Sequence, residues 1–181
     1  MEFITPTVQK SVKEVWIKIG TMMLIAQYVK KQSLTDMSFI KELVATFVGL
    51  AVFEIVAQQI KNRYQYSKNT MTAILDAVKI TILSTVTRTA FGMDIQDSGW
   101  IKETGMSVAA FVIYDLYVEP YVATYLKKYT GKEKNVVHDW FKFGIAFTIG
   151  RLLNGQPINH EFIIQTGVTL VGFSIYDITL L

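Results

Sequence analysis

Lys18, Lys79 and Lys142 recur about sixty residues apart, each inside an apolar stretch, and each is followed about 36 residues later by an acid: Glu54, Asp115 or Asp177. Opposite charges at matched depths in apolar segments can do two things. They can neutralise one another as structural ion pairs in a low-dielectric interior, or they can line a cation path or proton relay. A shallower set lies nearer the turns: Arg88 with Glu103, and Arg151 with Glu42, where Gln27 and Gln165 hold the mismatched positions. Other chemistry is thinly represented. The two histidines, His138 and His160, each precede an acid, Asp139 and Glu161, but adjacent helical residues do not share a face, so both read as interfacial side chains. With no cysteine, no HExxH spacing, no phosphate-binding loop and no dinucleotide fingerprint, the expectation is a non-enzyme without cofactor or metal.

These charges belong to a repeat. With Lys18, Lys79 and Lys142 in register, Gln27, Arg88 and Arg151 align, then Asp36, Asp97 and Asn159, then Phe39, Trp100 and Phe162, once one residue is dropped from the third turn. Phe53, Tyr114 and Tyr176 precede the three deep acids. The period predicts three copies of one supersecondary unit, spanning about 12–60, 71–126 and 136–181 of a single domain covering 1–181. In each copy, a first helix (12–31, 71–91, 136–153) and a second (37–60, 98–126, 160–180) form a hairpin. Interiors such as Leu43–Phe53 and Thr166–Tyr176 are too long and continuous for a half-buried strand. Ser33, Thr35 or Asp36, and Asp97 or Ser98, are candidate N-caps. Gly92-Met93-Asp94 and Asn154-Gly155-Gln156-Pro157 mark turns.

The fold expectation is therefore all-α: a polytopic membrane bundle of six helices in three pseudo-threefold hairpins. Half of the 181 residues are hydrophobic and 18% are charged, and mean hydropathy is +0.31. Charge-free runs such as Ile19–Val29 and Phe143–Gly150 are shorter than the roughly 20 residues a lone spanning helix needs. Pairing within each hairpin, Lys18 with Glu54, Lys79 with Asp115 and Lys142 with Asp177, is what makes spanning affordable. Arg88 with Glu103, and Arg151 with Glu42 across the seam between first and third units, would form the shallow layer, roughly 13–18 Å away at 1.5 Å per residue. Glycines at Gly105 and Gly167, Ala109-Ala110, and Gly49 with Gly172 are expected at close helix contacts.

The linkers, about 61–70 and 127–135, carry Lys61, Arg63, Lys68, Lys127, Lys128, Lys132 and Lys134, whereas the turns within hairpins lean acidic. That asymmetry predicts linkers and both termini on the cytoplasmic side, with the basic residues facing anionic lipid or an acidic partner. The polar segment Met1–Ser11 lacks a signal-peptide core, so the first helix is expected to direct insertion. A net charge of +3 is too small by itself to imply a nucleic-acid partner, and none is expected.

Three repeats of two spanning helices are shared with the mitochondrial carriers. Pro6, Pro120 and Pro157 do not fall where that family's odd-helix signature requires proline, and no binding residue is carried over. In style (small, cysteine-free, rich in Lys, Asn and Ile, with hairpins on short linkers) the chain resembles multi-spanning virion membrane proteins of large DNA viruses. The threefold repeat, the complementary buried charges and the absence of catalytic constellations lead to a structural or assembly role, with lipid, further copies of itself or a capsid-like layer as partners; the resemblance implies a virion inner membrane as its place. The alternatives are a small channel or transporter with the charged residues along a central path, and a soluble helical interaction domain.

Overall fold

A computed structural model describes residues 5–179; Met1–Ile4, and Leu180 and Leu181 at the end of the third unit, lie outside the described residues. Among the described residues there are six long helices and no strand. We number them α1 (Pro6–Val29), α2 (Met37–Arg63), α3 (Lys68–Ala90), α4 (Ser98–Lys128), α5 (Gly131–Leu153) and α6 (His160–Thr179). The α3, α4 and α6 helices are long and apolar enough to cross a membrane. The expected helices are all present, some beginning or ending a few residues further out.

Local chemistry sets the ends. Asp36, Asp97 and Asn159 cap α2, α4 and α6, accepting from the N–H groups of Ser38 (2.8 Å), Trp100 (2.7 Å) and Phe162 (2.9 Å). The Ser38 hydroxyl and N–H together hold the Asp36 carboxyl below its ordinary range. At the other side of each turn, the N–H groups of Gln32, Met93 and Gln156 reach back to the carbonyls of Gln27, Arg88 and Arg151, each at 3.0 Å. This closure needs one left-handed residue, supplied by Gly92 (φ 68°), Gly155 (φ 67°) and Lys31 (φ 53°). Only Lys31 carries a Cβ there. Lys31→Gly is expected to stabilise the protein by about 0.5–1 kcal/mol, read as a rise in thermal midpoint in detergent.

Within α4 the backbone widens into a π turn over Tyr114–Val118, where the Glu119 N–H bonds the Tyr114 carbonyl. Pro120 follows immediately and has no N–H to give the preceding turn. Asp115 is set inside this widened turn, 1% exposed.

Each helix packs on its chain neighbours, and α6 packs back on α1, so the six close on themselves in the order α1–α2–α3–α4–α5–α6. Two kinds of seam alternate. Inside each hairpin a tryptophan donates its indole N–H across the seam: Trp16 to the Leu43 carbonyl (3.1 Å), Trp100 to Ser84 Oγ (2.8 Å) and Trp140 to Ser174 Oγ (2.7 Å). Between hairpins small residues allow closer approach. A Cβ on Gly49 would meet Leu83 of α3 at 2.8 Å, one on Gly172 would stand 2.8 Å from Met22 Cα of α1, and Ala110 Cβ lies 3.6 Å from the Cβ position of Gly150. Gly49, Ala110 and Gly172 each lie five residues before a deep acid. Gly105 and Gly167 do not have the expected packing role, because nothing stands within 4 Å of a Cβ at either.

The outer faces are apolar. Val44, Phe47, Val48 and Val52 on α2, Tyr117 and Tyr121 on α4, and Ile163, Val171, Ile175 and Ile178 on α6 are all exposed. Apolar surface on this scale marks a membrane or partner interface.

Candidate functional site: two lysine–carboxylate junctions

Two of the deep lysines, Lys18 and Lys142, pair across the seams between hairpins rather than within them. Lys142 of α5 holds Asp115 of α4 at 2.9 Å and also contacts Asp76 of α3. Lys18 of α1 holds Asp177 of α6 at 2.8 Å and Asp139 of α5 at 2.5 Å. Among the described residues, Lys18 with Glu54, Lys79 with Asp115 and Lys142 with Asp177 do not meet as ion pairs. The correction has a steric reason. Depth along the axis is the same for both neighbours of a first helix, but the tryptophans fill the seam inside the hairpin. The small residues then let the lysine side reach the acid of the preceding hairpin.

By the same rule Lys79 faces Glu54 of α2 and the position of Val15, and there the scheme lapses. Glu54 accepts from Ser11 Oγ at 2.9 Å. Lys79 lies over the Phe53 ring, 4.8 Å from its centre, and is 4.0 Å from Asp76, one turn away on its own helix. Its side chain is 31% exposed. Two closed junctions and one loose seam result.

The shallow layer is not a layer of pairs between helices. Arg88 stacks on Trp100 (5.3 Å), donates to the Asp94 carbonyl and lies 3.7 Å from Asp97. Arg151 stacks on Phe162 (5.1 Å) and donates to the Pro157 carbonyl at 2.8 Å. Each arginine thus ties down its own hairpin turn, while Glu103 and Glu42 are exposed and pair with neither. The Gln27 Oε1, at the equivalent place in the first hairpin, is buried without a partner.

Three residues of these junctions escaped the sequence reading. Asp76 and Asp139 stand three residues before Lys79 and Lys142, a D-x-x-K spacing that occurs in the second and third units, with Val15 in the first. That recurrence was the available signal. His138 is not merely interfacial: its Nε2 lies 3.1 Å from Glu119 of α4, and its Nδ1 lies 3.8 Å from Asp139. A continuous run therefore crosses four helices: Glu119, His138, Asp139, Lys18, Asp177. His160 instead lines a cavity of about 900 Å³ at the turn end, between α1, α2 and α6, with Gln27, Glu42, Glu161, Gln165 and Thr169. A second cavity of about 470 Å³ at the same end lies among α3, α4, α5 and α6, beside Arg151 and Asn154.

The seven basic linker residues, Lys61, Arg63, Lys68, Lys127, Lys128, Lys132 and Lys134, are exposed at the opposite end. Lys132 donates to the Ile178 carbonyl (2.9 Å), and Lys128 stands over Tyr125 (3.7 Å).

No known protein family matches the chain, and no curated protein or solved structure matches it either.

Proposed function

We propose that the chain is three copies of one membrane hairpin closed into a six-helix ring, and that the ring carries a small polar solute through its middle. The observation that carries this reading is the junction pair: Lys18 and Lys142 bind helices of different hairpins at one depth, midway along α1 and α5. The cavities open at the turn end. Each of these two lysines gathers two acids, and cavities lined by Gln27, Glu42, Gln165 and Arg151 are costly in a membrane without a use for them. A hollow with polar side chains among apolar ones, bounded at mid-depth by breakable pairs, is what alternate opening requires. The mixed-charge lining fits a small zwitterionic or charged solute. The exposed apolar faces of α2, α4 and α6 would meet lipid, and the basic linkers would lie on the cytoplasmic face. A structural role, with further copies of the chain or a capsid-like layer as partner, is the second reading, and the exposed apolar faces favour it.

The test is uptake of labelled amino acids, small carboxylates and sugars into vesicles holding the purified protein. Uptake above protein-free vesicles, for at least one class, is expected. Vesicles as tight as protein-free ones to the whole panel, in both orientations, would refute the path.

A further inference from the structure

Each junction holds two carboxyl groups under a single lysine: Asp76 and Asp115 under Lys142, Asp139 and Asp177 under Lys18. Within each pair both carboxyl groups contact the same lysine nitrogen, so their oxygens crowd a single site. Two carboxylates are both acceptors and repel; they hydrogen bond only when one carries a proton. Asp115 Oδ2 and Asp177 Oδ2 are buried without any other donor, on side chains 1% and 0% exposed. Unpaired buried oxygens of this kind are costly to leave charged.

The charge count of the whole layer agrees. Facing the first junction are Lys79 of α3 and Tyr114 and Glu119 of α4; facing the second are His138 and, further out, Tyr176 and the exposed Glu14. Lys18, Lys79, Lys142 and a charged His138 give four cations. Asp76, Asp115, Glu119, Asp139, Asp177 and Glu54 give six carboxylates. The layer is negative unless it binds protons. It is neutral with two protons and His138 charged, or with three protons and His138 neutral.

The geometry points to a proton-binding site in each pair, Asp76 with Asp115 and Asp139 with Asp177, where one proton is shared beneath the common lysine. The run Glu119–His138–Asp139 gives the second site a route for exchange toward the linker end. As a coupling ion the proton rests on the solute path proposed above; as a bound species it does not. Opening the closure separates lysine from acid, and a carboxyl that already holds a proton leaves less charge uncompensated in the apolar interior.

Infrared spectroscopy of the reconstituted full chain at neutral pH tests this directly. Fifteen acids are present, and those facing water absorb as carboxylates, so a protonated-carboxyl band that shifts in deuterated water reports the buried pairs. The band is expected in the unaltered protein, reduced by Asp115→Asn and again by Asp177→Asn, and the unaltered spectrum decides even if a variant misfolds. No such band, or carboxylate bands that move on exchanging sodium for choline instead, would overturn the proton sites. A band without solute uptake would retain the sites and remove the path; uptake without the band would do the reverse.

Discussion

Lys18→Met is expected to destabilise the protein by about 3–5 kcal/mol, the usual consequence of removing one partner from a buried ion pair. Lys18 is the common cation of Asp139 and Asp177, and its loss leaves both acids in an apolar seam with only His138 nearby, 3.8 Å from Asp139. Lys142→Met should behave alike, since it strands Asp76 and Asp115. Lys79→Met, by contrast, removes a partly exposed side chain whose nearest acid is 4.0 Å away. It should cost under about 1 kcal/mol, as for other loosely held pairs. Adding Asp139→Asn and Asp177→Asn to Lys18→Met should recover most of the loss, because no unpaired charge remains. Unfolding by heat in detergent, followed by circular dichroism, measures all of these. Equal losses for the three lysines would show that the third seam is closed as well.

Gly172→Ala is expected to cost about 1–3 kcal/mol, the penalty for overpacking a well-filled contact. A Cβ there would stand 2.8 Å from Met22 Cα, and backbone cannot swing away as a side-chain end can. Gly172→Leu should be worse, since it wedges α6 from α1 five residues from Asp177. Gly49→Ala meets chiefly the Leu83 side chain and should be milder. Gly105→Ala and Gly167→Ala meet nothing and should be neutral, or stabilising by up to about 1 kcal/mol through helix propensity. If Gly172→Ala were as harmless as Gly105→Ala, α1 and α6 would not be in contact, and the ring would be open.

Much of this was legible in the chain. Helix positions followed from the length of the apolar runs and from the turn segments, with Asp36 and Asp97 among the candidate caps and Gly92 and Gly155 inside the marked turns; the Asn159 cap was not read. Depth along the helix was legible too, because residue number converts to rise. The angle about the axis was not. Lys79 and Asp115 share a level, and only the placement of Trp16, Trp100 and Trp140 within hairpins, opposite Gly49, Ala110 and Gly172 between them, turns the lysines outward from their own unit. Sequence order favours the nearer partner in the chain, and here packing selects the other one. Asp76 and Asp139 were missed because the alignment was anchored on residues present in all three units, and Val15 breaks that set.

Charge pairs run between hairpins, and one of them joins the last helix to the first. A double-mutant cycle of Lys18→Met against Asp177→Asn, made with Asp139→Asn in every variant so that the second acid does not mask the effect, reads that contact alone. The prediction is a coupling energy above about 1 kcal/mol for this pair, as for contacting residues generally, and none beyond about 0.3–0.5 kcal/mol for Lys18→Met against Glu54→Gln. Coupling to Glu54 with additivity at Asp177 would contradict the account and return the pairs to the interior of each hairpin.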